Sequence, residues 1–148
     1  MTKKILIING PNLNLLHKRD KTIYGDISLK KIEADCKKLG EELGLKIEMK
    51  QSNDEGEIVD FIQHAAETSD AIIINAAAYT HTSVAIRDAL EIFQKPKIEL
   101  HISNIFKREE FRKTSLISDV VDGVISGLGH DGYTLAVLAA DLMLKSHR

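Results

Sequence analysis

The chain has one cysteine, two prolines and few aromatic residues, 5% of 148 positions. A lone thiol excludes an internal disulfide, and Cys36 falls in step with Leu29, Ile32, Leu39 and Leu43, the spacing of a buried helix face. The prolines, Pro11 and Pro96, mark no linker, and no repeat or low-complexity tract interrupts the sequence. No stretch approaches the roughly 20 apolar residues of a membrane span. The opening MTKKILIING is cut short by Asn9, Gly10, Pro11 and Asn12, well before a signal-peptide core could form. A net charge of -2 supplies no drive toward nucleic acid or an anionic membrane. Also missing are a histidine pair at i, i+4 and a G-x-S-x-G elbow, which disfavours a zinc helix and acyl-enzyme chemistry. A cytoplasmic protein acting on a small polar molecule is the expectation, and the length suits one domain, residues 1–148.

What the chain does have is alternation. Apolar runs at Lys4–Asn9, Lys46–Gln51, Ala71–Asn75, Lys97–Ser103 and Val120–Ser126 read as strands. Between them, Ser28–Leu43, Glu55–Ser69, Thr82–Phe93 and Tyr133–Leu144 carry helical stripes. Ser28 suits an N-cap, as does Thr80 or Thr82 for the third helix, and the Ala-Leu-Met density of the last predicts burial on more than one face. Such alternation predicts an α/β flavodoxin-like fold, a five-stranded parallel sheet in the order 2-1-3-4-5 with helices on both faces. Ligands of open α/β sheets bind outside the carboxyl ends of the strands, near the switch in strand order. Polar groups stand at three of these exits: Asn9 and Asn12; Asn75 and His81; His101, Ser103 and Asn104.

Three segments carry chemistry. The connection from Gly10 to Gly25 is long and sets Tyr24 near Lys18, Arg19 and Lys21. It reads either as a surface excursion with Tyr24 resting on apolar neighbours, or as a lid in which cations favour a phenolate base. In INAAAYTHTSVAIRDAL, small residues let a ligand approach the backbone, Asn75 and His81 offer directional hydrogen bonds, and Arg87 and Asp88 read as helix charges. In IELHISNIFKREEFRKTS, alternation places Glu99, His101 and Ser103 on one strand face, where an acid two positions from a histidine can orient and charge it. Arg108 and Arg112, four apart, would share a face of a short helix and clamp an oxygen-rich ligand.

GLGHDG, residues 127–132, matches G-x-G-x-x-G in its letters. Only 16 residues follow it, too few for a second strand and a ribose-binding acid, so it reads as a tight turn. A nucleotide-binding module that uses this turn for a phosphate is the alternative reading.

Taken in order, INGPNLNLL, the arginine and YG of the opening loop, QSNDEG, NAAAYTHTS with RDAL, ELHISN, REEFR with the following serine, and GLG with GY resemble the type II 3-dehydroquinate dehydratases from end to end. Local departures are His17, where that family usually has glycine, and Asp20-Lys21, where Glu-Pro is common. The resemblance implies a lyase of the shikimate (aromatic amino acid biosynthesis) or quinate pathway, with no cofactor and no metal. It implies that Tyr24, with Arg19 beside it, removes a proton from carbon 2 of 3-dehydroquinate, and that Asn12 positions a water at the enolate oxygen. His101, oriented by Glu99, protonates the departing hydroxyl. By the same resemblance, Ser103 and the backbone amides of Ile102 and Ser103 would hold the carboxylate, while Asn75, His81 and Arg112 would fix ring hydroxyls and carboxylate. The resemblance further implies that Asp88 is supplied by a neighbouring subunit, in a homododecamer built from trimers.

Overall fold

A computed structural model describes residues 1–146. Five parallel strands, β1 (Lys3–Asn9), β2 (Leu45–Gln51), β3 (Ala71–Asn75), β4 (Lys97–His101) and β5 (Gly123–Ser126), form one sheet in the order β2-β1-β3-β4-β5. A period of two along each strand sends alternate residues to opposite faces. In β1, Ile5 and Ile7 enter one core with Ile73, Ile98 and Leu100, whereas Leu6 and Ile8 enter the other with Ile72 and Ile74. Both faces are therefore apolar, as a parallel sheet covered on both sides requires. Each fully buried isoleucine contributes about 1.5–3 kcal/mol relative to exposure.

Helices α2 (Leu29–Leu43) and α5 (Asp131–Lys145) cover the first face, and α3 (Glu55–Thr68) and α4 (Val84–Ile92) the second; α1 is a single turn, Lys21–Tyr24. The Ser28 side chain caps α2 at the Lys31 amide, and Asp54 caps α3 at the Gly56 and Glu57 amides. Helix α4 is capped by Ser83 at the Ile86 amide, not by Thr80 or Thr82. The chain is still in a tight turn through His81, so the first side chain in extended geometry just before the helix does the capping.

Other differences from the sequence expectation have local causes. β4 stops at His101, where the chain bends at Ile102 and Ser103, and β5 starts at Gly123, after residues 118–120 form a short 3-10 turn rather than strand. The last helix buries one face only, through Tyr133, Ala136, Val137 and Ala140, and leaves Leu135, Leu138 and Leu142 exposed. Apolar density alone cannot tell a central helix from an outer one, since an outer helix meets the sheet along a single stripe.

The chain runs from β1 outward to β2 and then back across to β3, so the strand order reverses between β1 and β3. At that point Asn9 and Asn75 lie side by side at the strand ends. Gly10 follows, its amide donating to the Asn75 carbonyl at 2.8 Å, and a Cβ there would fall 2.4 Å from the Ala76 carbonyl oxygen. Only glycine allows the two backbones to come this close.

Candidate active site

A cleft opens outside the carboxyl ends of β1, β3 and β4. Its lining includes Asn12, Arg19, Tyr24, Asn75, His81, His101, Ile102, Ser103, Arg108 and Arg112. Residues from three separate stretches of sequence thus meet at the switch in strand order, where such a sheet leaves a crevice.

The long first connection is folded. Leu13–Lys18 forms a 3-10 turn that buries Leu13 and Leu16, and the single-turn α1 follows. Asp20 caps α1, accepting from the Thr22 amide at 2.9 Å and the Thr22 hydroxyl at 2.6 Å. Tyr24 ends this turn almost fully buried, joining the core through its ring. Its hydroxyl oxygen accepts from the Arg19 guanidinium at 2.5 Å and from Arg108 Nη1 at 2.7 Å. Arg19 also lies over the ring, with Cζ 3.9 Å from its centre. A guanidinium only donates, so two of them converging on one oxygen suit an oxygen that carries negative charge.

Arg108 at Tyr24 has no signature in the sequence, since the two residues are 84 positions apart. Arg108 and Arg112 do not share a helix. Arg108 ends one 3-10 turn, Ile105–Lys107, and Arg112 lies in the next, Glu110–Lys113, yet both reach the cleft. Arg108 also donates to Ser103 Oγ at 3.3 Å, and Arg112 pairs with Glu109 at 3.2 Å.

At the end of β4, Glu99 is wholly buried and meets His101 Nε2 in a short contact. The Ser118 hydroxyl donates to Glu99 Oε1 at 2.5 Å and the Ser115 hydroxyl to Oε2 at 3.0 Å. Burial pushes the Glu99 carboxyl up, but hydrogen bonds from His101 and Ser118, the His101 charge and the Ser115 hydroxyl together hold it below its ordinary value. Glu99 does not line the cleft; it stands behind His101.

His81 stacks on His101, with ring centres 6.4 Å apart and planes 20° from parallel. Its Nδ1 lies 2.8 Å from the Thr114 carbonyl, which can only accept, so Nδ1 carries the proton. Burial, with the His101 and Arg112 charges, holds the His81 pKa below the ordinary histidine value, against the pull of Thr114 and Glu99. A neutral ring so arranged presents Nε2 as an acceptor, suited to a ligand hydroxyl.

Asn75 is held from below. Its Nδ2 donates to the Tyr133 hydroxyl at 3.1 Å, Tyr133 donates to Asn9 Oδ1 at 2.6 Å, and the Ala77 amide donates to Asn75 Oδ1 at 3.2 Å. Ala77 adopts a left-handed φ of 53°, and Asn12 one of 70°. The Asn12 amide donates to Asn53 Oδ1 at 3.0 Å, and Gln51 Nε2 donates to the same oxygen at 3.1 Å, which explains why QSND belongs with this site. Asp88 is exposed on α4 and does not line the cleft.

The GLGHDG segment is a turn. The Gly127 amide donates to the His101 carbonyl at 3.3 Å and the Gly129 amide to the Ile102 carbonyl at 3.0 Å, and Asp131 puts a carboxylate in the first turn of α5. With those amides occupied and a negative charge at the helix start, the segment is unsuited to cradling a phosphate.

The parallel α/β sheet, with a guanidinium-flanked phenol and a carboxylate-backed imidazole in one crevice at its strand ends, defines an enzyme equipped to move protons. Comparison with known proteins narrows this class. Residues 3–141 match the family model described as Dehydroquinase class II. A 3-dehydroquinate dehydratase from Rhizobium johnstonii is 53% identical over 139 residues, covering 94% of this chain and 96% of the relative. One from Francisella philomiragia is 54% identical over 136 residues, covering 92% of each. The crystal structure of a type II dehydroquinase from Butyrivibrio crossotus superposes with a TM-score of 0.92 at 44% identity, covering 95% of this chain and 98% of that one. The chain belongs to the class II dehydroquinase family.

Proposed function

We propose that the protein dehydrates 3-dehydroquinate to 3-dehydroshikimate by anti elimination through an enolate. The family supports this reading, and one observation carries it: Tyr24, flanked by Arg19 and Arg108, and His101, backed by Glu99, line the same cleft. A proton next to a ketone is weakly acidic and a hydroxyl leaves poorly, so the reaction needs a base, a place for enolate charge and an acid. Tyr24 as phenolate takes the proton from carbon 2, with two guanidiniums balancing its charge. Asn12, at the rim of the cleft, holds a water against the enolate oxygen. His101 protonates the carbon 1 hydroxyl as it leaves, with ionised Glu99 stabilising the imidazolium.

Binding roles follow donor chemistry. Ser103 with the Ile102 and Ser103 amides, and Arg112, suit the substrate carboxylate. His81, neutral and accepting at Nε2, suits a ring hydroxyl, as does the side chain of Asn75. Asp88 is exposed and does not line its own cleft, which favours its serving a neighbouring subunit within a homododecamer of trimers. Among the described residues no helix is long and apolar enough to cross a membrane, and a cytoplasmic place in the shikimate pathway fits the reaction.

The test is to add 3-dehydroquinate to the purified protein and follow the ultraviolet absorbance of the conjugated enone. A rise that survives both chelator and borohydride is expected, the second because no lysine imine takes part. No rise from folded, assembled protein overturns the reading. Sedimentation checks the dodecamer.

A further inference from the structure

The stretch from Thr114 to Ser118 reaches one cleft histidine directly and the other through Glu99, without lining the cleft. The Thr114 carbonyl accepts from His81 Nδ1, and two hydroxyls further on, Ser115 and Ser118, donate to the carboxylate behind His101. The stretch is itself tied down. The Leu116 amide donates to the Thr80 carbonyl at 2.8 Å, Arg87 donates to the Leu116 carbonyl at 2.9 Å, and Arg87 makes a short ion pair with Asp119. The Ser115 oxygen also accepts from the Ile117 and Ser118 amides, both at 3.1 Å, so it is oriented before it donates to Glu99.

Resting on the dehydratase reading, we propose that Ser115 and Ser118 are positioning residues of the general acid. Their hydroxyls keep Glu99 ionised and fixed, so that Glu99 does not take the proton that His101 must deliver. A buried carboxylate is costly unless its oxygens are satisfied. Among the described residues His101 is the only basic side chain within ion-pair distance of Glu99. Of the other cationic or titratable groups nearby, His81 stacks on His101, Arg108 donates to Tyr24 and Ser103, and Arg112 pairs with Glu109. Hydroxyl donors therefore stand where a second cation would otherwise be needed. They satisfy the carboxylate without competing with His101 for its negative charge.

Two readouts on the full-length protein test this. First, Ser118→Ala, Ser115→Ala and the double variant are compared with wild type in kcat and KM for 3-dehydroquinate. Loss of one hydrogen bond to a charged group is expected to lower kcat by about tenfold to a hundredfold, with KM little changed, because neither serine lines the cleft. Ser118→Thr, which retains the hydroxyl, is expected to recover most of kcat. Second, the Glu99 carboxyl carbon is followed by NMR during an acid titration of glutamate-labelled protein, assigned with Glu99→Gln. Its midpoint is expected to move upward in each alanine variant.

Ser115→Ala can also disturb the turn through its two amide partners, so Ser118→Ala is the deciding variant, since its hydroxyl bonds to Glu99 alone among the described residues. An unchanged Glu99 titration in Ser118→Ala overturns the proposal, even if kcat falls, because a merely structural defect would leave the carboxyl where it was. If wild type fails to convert 3-dehydroquinate, the dehydratase reading falls, while the titration still decides whether the hydroxyls hold Glu99 ionised.

Discussion

The Tyr24 hydroxyl oxygen accepts from two arginines at once, Arg19 at 2.5 Å and Arg108 at 2.7 Å. If Tyr24 is the base, Tyr24→Phe lowers kcat by roughly 100- to 10,000-fold while substrate binding, measured by calorimetry, persists. Arg108→Ala is expected to cost about tenfold to a hundredfold in kcat, the range for one charge-assisted hydrogen bond. Near-normal turnover by Tyr24→Phe would remove the base assignment, and near-normal turnover by Arg108→Ala would leave Arg19 as the sole partner that matters.

His81, if it accepts from the substrate, is expected to make binding sensitive to acid. Its pKa is held below the ordinary value by burial and by neighbouring positive charge, so it is neutral at pH 7 and accepts through Nε2. As pH falls below the ordinary histidine value of about 6.5 and reaches the depressed one, Nε2 gains a proton and can no longer accept. KM for 3-dehydroquinate is then expected to rise on the acid side, and His81→Phe, already lacking the acceptor, is expected to have a high KM that no longer depends on pH there.

Glu99 is expected to make stability sensitive to acid. Its folded pKa is lower than its unfolded one, so between the two values the unfolded chain binds more protons. The contribution is complete above the unfolded value of about 4.3 and is lost as pH falls toward the folded one. Urea midpoints measured against pH are expected to fall over this window in wild type and to fall less in Glu99→Gln. Parallel curves would mean that Glu99 is not held ionised.

Tyr133 joins Asn9 and Asn75 beneath the cleft, with burial raising its phenol pKa, so it acts as a neutral hydrogen-bonding post. Tyr133→Phe leaves buried amide groups unpaired and is expected to cost about 1–3 kcal/mol of stability, read from urea unfolding. KM is expected to rise as well, because Asn75 loses a partner that orients it.

Lys21 holds the first position of α1, behind the Asp20 cap, where a backbone amide has no helical partner and proline is favoured. Asp20 has φ -59° and ψ 112°, a conformation that tolerates a following proline. Lys21→Pro is expected to raise stability by about 0.4–1 kcal/mol, seen as a higher melting temperature, since the exposed Lys21–Asp26 pair at 3.3 Å contributes little. A fall in melting temperature would show that the loop needs another conformation.

Several boundaries were legible in the sequence because local rules decide them. The runs of β1, β2 and β3 stand within a residue or so of the expected limits, since β1 and β3 are nearly continuous apolar stretches ending at asparagine and β2 alternates apolar and charged residues up to Gln51. The start of β5 and the cap of α4 were not, because a 3-10 turn beside each takes residues whose pattern also fits a strand or a cap. Glu99 and His101 could be placed on one strand face by counting in twos. Ser115 and Ser118 could not be joined to them, because they return to that face through an irregular segment with no period to count.

The sequence by itself determined the parallel order of strands and helices, the two apolar faces of the sheet, the polar groups at three strand exits and the family. These follow from side-chain periodicity and from motifs that span a few residues each. Only the tertiary structure decided that Arg108 reaches Tyr24, that Tyr133 supports Asn75, that two serines satisfy Glu99, and that Asp88 stays outside the lining of its own cleft. Each of those is a meeting, or a parting, of groups distant in sequence. It depends on how irregular segments pack against the sheet rather than on any local preference of the chain.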